Sequence, residues 1–457
     1  MNKCVAIIGA GIAGLTAAQK LYENGFNDIT IYEALDRIGG RIHTIPFDNG
    51  VLELGAQWLH GQHGNPLYHL AKERDLISNP NIDFGIEGTG IFCTDSGDLL
   101  NNTDINKVIE FLNRIKDQIS DHSLETNQLM SAQQVFRDNF EKYIKTQECP
   151  PLDTDLLWSL FNWYIKFEVI DNSCNDLNDI SLLSYTQYDE CDGIDLINLK
   201  NGYKTIIDSL VNEFPKNVIN LRHCVKRIEI CNKNNKQNMD TFFGFILPKN
   251  KINIIKTLGF GTINKIYLYF DKPFWSSDDN GFQFVWTKHS NHSLPDWVYD
   301  ITGFDLVRGQ PNVLVGWIGG NGAIQMEKVP NCQMIGDICF RVLKQFLPNM
   351  TIERPSKVIC SKWWSNEYVC GAYSNRSLNY QKLNLDIESL SEPIVCETKY
   401  SNLSNRYIDY PLILFGGEAT DRQFYSTTHG AMRSGLREAQ RLIEFYNKLN
   451  VLDISKL

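Results

Sequence analysis

Apolar and polar positions change period several times along this chain, and each change predicts an element. Cys4-Val5-Ala6-Ile7-Ile8 is a continuous apolar run, the pattern of a parallel strand buried on both faces. Ile12, Leu15, Ala18 and Leu21 then recur at helical spacing, Gly25 suits the position just past a helix end, and Asp28-Ile29-Thr30-Ile31-Tyr32 reads as the next strand. Asn65-Pro66 opens a helix containing Leu67, Leu70 and Ala71. From about 105 to 165 the period is helical, as in Ile105, Val108, Ile109, Leu112 and Ile115, with no glycine to interrupt it. Asn201-Gly202-Tyr203 opens a helix carrying Ile206, Ile207 and Leu210, and His223 to Ile230 is strand-like. Between Thr262 and Phe270 the alternation places Ile266, Leu268 and Phe270 on one face and Lys265, Tyr267 and Tyr269 on the other. Met334 to Leu343 predicts a core helix. Leu412 to Phe415 predicts a buried strand before Gly416-Gly417, and a final helix runs from near Thr428 through Phe445.

The first strand, turn and helix carry the first chemistry. Gly9, Gly11 and Gly14 stand in GxGxxG spacing. The first permits a tight turn, the second lets backbone approach a pyrophosphate, and the third lets the helix lie close on the sheet. The helix N-terminus then faces the phosphates. Glu33 closes the second strand where a carboxylate can accept hydrogen bonds from an adenosine ribose. Arg37, Gly39-Gly40 and Arg41 follow at once, a basic glycine-rich loop able to fold over the pyrophosphate, which favours FAD over a nicotinamide cofactor.

Further motifs make a resemblance specific. Gly55-Ala56-Gln57-Trp58-Leu59-His60-Gly61 with Asn65-Pro66, preceded by the glycine turn and the Glu33 to Arg41 loop, resembles the flavin-containing amine oxidases, and within them the animal polyamine oxidases that act on N-acetylpolyamines or spermine. The resemblance continues through Leu258 to Leu268, Gly371-Ala372-Tyr373-Ser374 and Gly416 to Ala431. It implies that the backbone of Gly55, Ala56, Gln57 and Trp58 lies against a flavin, that Val225 holds the adenine edge, and that Glu418 sits beside the ribityl and phosphate groups. Trp363 would pack near the flavin, and the helix beginning at Thr428 would point its positive end at the ring carbonyl region that gains negative charge on reduction. As catalytic residues the resemblance implies Lys265, reaching the flavin through a water, and His60 in the substrate tunnel. As substrate-binding residues it implies Glu168, Tyr373 and Thr427. The cluster from Asp189 to Asp195 adds a run of acids that could recruit a polycation or form a solvated loop.

In one place the chain departs from this pattern. The family has a hairpin and a further strand after the strand around Val225, whereas Cys231 to Asp240 is polar and unpatterned. One sheet element of the FAD domain is therefore expected to be missing near 231–241, which bears on flavin affinity. The expected fold is α/β: a Rossmann-like FAD-binding domain, discontinuous in sequence (1–75, 191–258 and 396–457), with an α+β substrate-binding domain (76–190 and 259–395).

Bulk properties change this picture little. A net charge of −10 argues against nucleic acid as a partner and is compatible with a cationic one. The 12 cysteines contain no CxxC pair, no metal cluster stands out, and no apolar run approaches a membrane span. A first strand at residue 4 leaves no room for a secretory leader, so reduced thiols inside a cell are expected. Ser455-Lys456-Leu457 is the tripeptide read by the peroxisomal import receptor, with the cytoplasm as the other compartment. The expected reaction is oxidation of a secondary amine of N-acetylated or free spermine or spermidine by O2, through an imine, to an aldehyde, a shorter amine and hydrogen peroxide. Two rivals stand beside it. One is another flavin amine oxidase such as a lysine demethylase, disfavoured by the absence of a long coiled insertion and of basic tracts. The other is a non-catalytic variant that has lost its flavin.

Overall fold

The computed structural model describes residues 4–78, 87–122, 129–229, 247–276, 279–287, 293–401 and 404–454. At the N-terminus the strand Cys4–Ile8 pairs in parallel with Asp28–Tyr32, in register from Cys4 opposite Asp28 to Ile8 opposite Tyr32, through the helix Ile12–Glu23. The turn between them needs its glycines. Gly9 has φ +96° and donates its N–H to Tyr32 O at 2.8 Å, and a Cβ on Gly14 would overlap the Gly9 carbonyl oxygen. Gly14→Ala is therefore expected to cost about 1–3 kcal/mol of stability, as overpacking does, and to lower the flavin content of the purified protein. Absorbance and a thermal melt check both.

The third strand of this sheet is Ile219–Asn220, parallel to Ile31 and Tyr32. Beyond it the chain stays beside Glu33, since His223 N–H donates to Glu33 O at 2.8 Å, but residues 223–227 form no strand, contrary to the strand expected there. Arg222 N–H donates to the Leu35 carbonyl at 2.9 Å, and among the described residues no further strand extends this sheet. Cys231 to Asp240, where a sheet element was expected to be missing, lies outside the described residues. Two expectations of burial also fail. Cys4, Ala6 and Ile8 are exposed, Ile8 at 52%, because Cys4–Ile8 is the edge of the three-stranded order among the described residues and a cavity opens beside it. Leu412 is 39% exposed at the end of the strand Ser404–Ile413, which pairs only with Ile394–Ser401 among the described residues and turns residues 410–413 toward the same cavity.

The helix Thr428–Ile454 returns across Ile12–Glu23 so closely that a Cβ on Gly435 would overlap the Ala13 carbonyl. Leu15, Leu21, Ile31, Ile206, Leu210 and Ile443 share one core there. A second core lies under a six-stranded sheet, in the order Lys357–Cys360, Ile263–Tyr269, Val313–Gly319, Ile301–Leu306, Gly281–Val285, Ile91–Thr94. The alternation in Ile263–Tyr269 sorts its side chains as expected. Ile266 and Leu268 pack with Ile335, Val342 and Leu343 of the helix Cys332–Phe346, while Tyr267 packs with Val313 and Val315 on the other face. Both faces are covered, so Lys265, on the second face, is 3% exposed. The helices Asn102–Ser120, Ala132–Tyr143 and Thr154–Asp171 form a third core around Leu112, Phe136, Phe140 and Phe161. No described helix is long and apolar enough to cross a membrane.

Candidate active site

These bodies enclose a cavity of about 2080 Å³. One end is walled by the glycine turn: Gly9, Gly11 and Gly14 line it, with Glu33, Arg41, Val225, Gly417 and Glu418. A Cβ on Gly9, Gly11 or Gly417 would meet nothing within 4 Å, so the space over these backbones is open. The helix Ile12–Glu23 starts at Gly11 without a side-chain cap, which leaves the N–H groups of its first turn facing the cavity in the arrangement that binds phosphate. Glu33, 5% exposed, accepts from Ala10 N at 2.7 Å and Leu35 N at 2.8 Å and keeps further lone pairs.

Arg41 Nη1 donates to Glu418 Oε1 and to Ala372 O, both at 2.8 Å. Glu418 also accepts from Ser374 Oγ and from the Ser426 N–H, each at 2.7 Å. Burial alone would raise its pKa; Arg41 and these hydrogen bonds override that and hold the carboxyl below its ordinary range. One carboxylate thus ties the loop after the first βαβ unit to the Gly371–Ser374 segment and to the turn before the last helix. That helix is capped by Thr427, whose Oγ1 accepts from Gly430 N at 3.0 Å and donates to Phe424 O at 2.6 Å. Thr428 Oγ1 bonds to Tyr203 Oη.

The middle of the cavity is built on Gly55, Ala56, Gln57 and Trp58. A Cβ on Gly55 would overlap the Arg41 carbonyl, and Trp363 Nε1 donates to Leu54 O at 2.9 Å, which pins the segment. Lys265 reaches it from the opposite sheet. Its Nζ donates to Glu53 O at 3.0 Å, Gly55 O at 2.9 Å and Gln57 Oε1 at 2.7 Å, and lies 4.4 Å from the centre of the Trp317 ring, the residue opposite it in the ladder. Burial, opposed by Glu53 and Glu87, pulls its pKa down to about 8. Trp317 stacks on Trp58 at 5.8 Å; both line the cavity, and neither indole N–H has a partner among the described residues.

At the far end stand aromatic rings and acids. Tyr373, Phe167 and Tyr188 line the cavity with Glu87, Asp171 and Asp195. His60 Nδ1 lies 3.0 Å from Asp195 Oδ1, so the acidic cluster noted in the sequence supplies the partner of His60. Tyr373 Oη donates to Ile170 O at 3.1 Å. Two expected substrate-binding groups are otherwise engaged. Glu168 does not line the cavity: its carboxylate, 1% exposed, is taken by Lys116 at 3.1 Å, Tyr185 Oη at 2.8 Å and Asn172 Nδ2 at 3.2 Å. Thr427 does line it, yet its hydroxyl is committed to the helix cap.

Sequence reasoning missed Glu87. It stands on a loop pinned from three sides. A Cβ on Gly88 would meet the Phe167 ring, a Cβ on Gly90 would overlap the Gly281 backbone, and Gln283 Nε2 bridges Thr89 O at 2.9 Å and Asp305 Oδ1 at 2.8 Å. Burial, then Asp305, pushes the Glu87 carboxyl well above its ordinary range, and burial pushes Asp305 up to about 7. The Gly88-Thr89-Gly90 spacing marks a turn in the sequence, but nothing local says what the turn presents.

The comparisons with known proteins agree with this geometry. The model of the flavin containing amine oxidoreductase family matches residues 12–242 and 246–443. The chain belongs to that family. It is an FAD-dependent amine oxidoreductase, and the open glycine cradle, the uncapped helix start and the unpartnered indole donors fit the cofactor. Among curated proteins it is similar to the peroxisomal N(1)-acetyl-spermine/spermidine oxidases of Bos taurus and Homo sapiens, each 28% identical over 97% of this chain and 95% of the relative. The bovine alignment runs over 502 residues against the chain's own 457, so at least 45 of its positions have no counterpart here. Among solved structures it is similar in fold to putrescine oxidase bound to putrescine, with TM-score 0.68, 17% identity, and coverage of 96% of this chain and 99% of that one.

Proposed function

We propose that this oxidoreductase acts on polyamines, oxidising a secondary amine of N-acetylated or free spermine or spermidine. The observation that carries the reading is the placement of Lys265 and Glu87 on one cavity that aromatic rings and further acids also line. FAD, when bound, accepts two electrons from the amine and passes them to O2, giving hydrogen peroxide. Gly9, Gly11, Gly14, Glu33, Arg41, Val225, Trp363, Glu418 and Thr428 would hold it, with the Gly55–Trp58 backbone alongside. Glu87 attracts a distal ammonium, Asp171 adds negative charge nearby although its Oδ2 is paired with Lys116 at 2.6 Å, and the faces of Phe167 and Tyr373 favour the cation while displacing water. The reacting nitrogen, desolvated and neutral, becomes an imine, which water cleaves to an aldehyde and a shorter amine. Lys265, half protonated near pH 8, is suited to hold or accept a proton beside Gln57. His60, fixed by Asp195, orients the chain of the substrate.

The domain division follows the same reading: segments 1–75, 191–258 and 396–457 grip FAD, and 76–190 with 259–395 cap the substrate. Ser455-Lys456-Leu457, outside the described residues, would be bound by the peroxisomal import receptor; the tripeptide and the names of the similar oxidases support that compartment.

Incubation of the flavin-loaded protein with N-acetylspermine, spermine and putrescine, reading peroxide and aldehyde, tests the substrate class. Turnover of an acetylated or free polyamine is expected; loaded protein inert to all three would refute it. Glu87→Gln is expected to raise KM for a polyamine about 10- to 100-fold, the loss of one charge-assisted contact, with an unchanged melting temperature. Because the Glu87 carboxyl titrates high, KM in the parent should fall as pH rises and the carboxylate forms; the variant should lose that dependence. A second reading, in which the chain keeps the fold but holds FAD weakly, is favoured by the open edge of Cys4–Ile8. Flavin content of the purified protein separates the two.

A further inference from the structure

Two thiols stand outside the cavity, where the helix Cys332–Phe346 crosses the sheet's edge strand Lys357–Cys360. The crossing is tight: a Cβ on Gly336 would overlap Val358 Cγ2. Cys332 lies one turn before Gly336 on the same helix face, and Cys360 lies two residues after Val358 on the same strand face, so a second contact runs beside the first. The ladder orients the groups between them. Ser361 N–H points into the sheet and donates to Lys265 O at 3.0 Å, so the preceding Cys360 N–H points out from the edge, toward the start of the helix. There the Cys360 thiol and N–H are the neighbouring groups that stabilise a negative charge on the Cys332 sulfur.

Cys332 is also the first residue of a 15-residue helix capped by Asn331, where the macrodipole favours an anion. The Cys360 thiol hydrogen bond, working against burial and helped by the Cys360 N–H and by Lys362, brings the Cys332 thiol down to about 6. Both cysteines are half-buried and reachable by a small oxidant.

We propose that Cys332 and Cys360 are a peroxide-sensing thiol pair that closes to a reversible disulfide. The Cys332 thiolate attacks one oxygen of hydrogen peroxide, breaking the O–O bond to give a sulfenic acid and hydroxide, which takes a proton to become water. The Cys360 sulfur then attacks the sulfenic sulfur, forming the S–S bond and releasing a second water, its thiol proton leaving with that oxygen. Two thiols are oxidised by two electrons and one peroxide is reduced. The pair rests on the proposed oxidase activity only for its source of peroxide.

The test uses reduced, purified protein and added hydrogen peroxide without amine, followed by alkylation and peptide mapping under non-reducing conditions. The expected product is a crosslink between the Cys332 and Cys360 peptides, lighter by two hydrogens, formed before modification of the exposed Cys4, Cys370 and Cys396 and reversed by dithiothreitol. In Cys360→Ser, Cys332 should stop at a sulfenic acid that dimedone traps. Oxidation of the exposed cysteines while this pair stays reduced would overturn the proposal, as would overoxidation of Cys332 without a crosslink. Because peroxide is supplied directly, absence of the crosslink refutes the pair whatever the substrate, and absence of polyamine turnover bears only on the proposed reaction.

Discussion

Lys265→Met is expected to lower kcat by about 10²- to 10⁴-fold, the range set by removing a positioned proton carrier. The ammonium of Lys265 fills three acceptors, Glu53 O, Gly55 O and Gln57 Oε1, and methionine can satisfy none of them. Tyr267 Oη still donates to Glu53 O at 2.6 Å, so part of that network survives the change. The pH dependence separates catalysis from scaffolding. With its pKa drawn down to about 8 by burial, Lys265 is charged below pH 8 and neutral above it. A role as proton acceptor makes kcat/KM rise through that region, and the rise should vanish in Lys265→Met. Stability carries the opposite check. The folded chain binds this proton less tightly than the unfolded one, so the contribution of Lys265 to stability improves from pH 8 toward its ordinary value of 10.5. A variant that flattens the stability curve there but keeps the kinetic limb would mean that Lys265 only braces the Gly55–Trp58 segment.

Glu418→Ala is expected to remove about 3 kcal/mol of stability and most of the bound flavin. Its carboxylate serves Arg41, Ser374 and Ser426 at once, and deletion leaves their donors without an acceptor in a site where Glu418 itself is 4% exposed. Arg41 is 37% exposed along its side chain and can recover water, which keeps the loss below that of a fully buried pair. Glu418→Gln should fall between, keeping the shape and losing the charge. Since the folded pKa lies below the ordinary 4.5, the stabilisation is present above that value and disappears as pH falls through the folded pKa. The parent and Glu418→Ala should therefore melt closer together in acid than at neutral pH, and a constant gap would show that packing, not charge, is what the alanine removes.

What the sequence revealed of this molecule is mostly what is set within a few residues. The glycine turn, the Asn65 cap whose Oδ1 accepts from Leu67 N and Tyr68 N, and the alternation through Lys265 follow from local sterics and period, and each is in place. Glu168 shows where that reasoning ends. The helix Thr154–Asp171 buries residues around most of its circumference, among them Leu160, Phe161, Trp163, Tyr164 and Ile165, and its polar side with Asp155 and Asn162 marks solvent, so the pattern does not tell which buried face meets the cavity. Phe167, Ile170 and Asp171 face it, while Glu168, a rotation of about 100° from Phe167, turns into the helical core toward Lys116. Glu87 was hidden for a related reason: its position is fixed by Phe167, Gly281 and Asp305, all far away in the chain. The exposed edge of Cys4–Ile8 was illegible because an apolar run reports only what a strand could bury. Whether a neighbour covers it is decided elsewhere in the fold.

Two glycine turns, one near each end of the chain, are expected to hold a flavin that a polyamine can reduce. The visible absorbance spectrum of the purified protein, recorded anaerobically before and after addition of N-acetylspermine, tests it most directly. The expected result is a yellow protein whose flavin band bleaches on addition of the amine and returns when air is admitted. A colourless protein that gains no band when FAD is supplied, or a yellow one that polyamines leave unchanged, would contradict it.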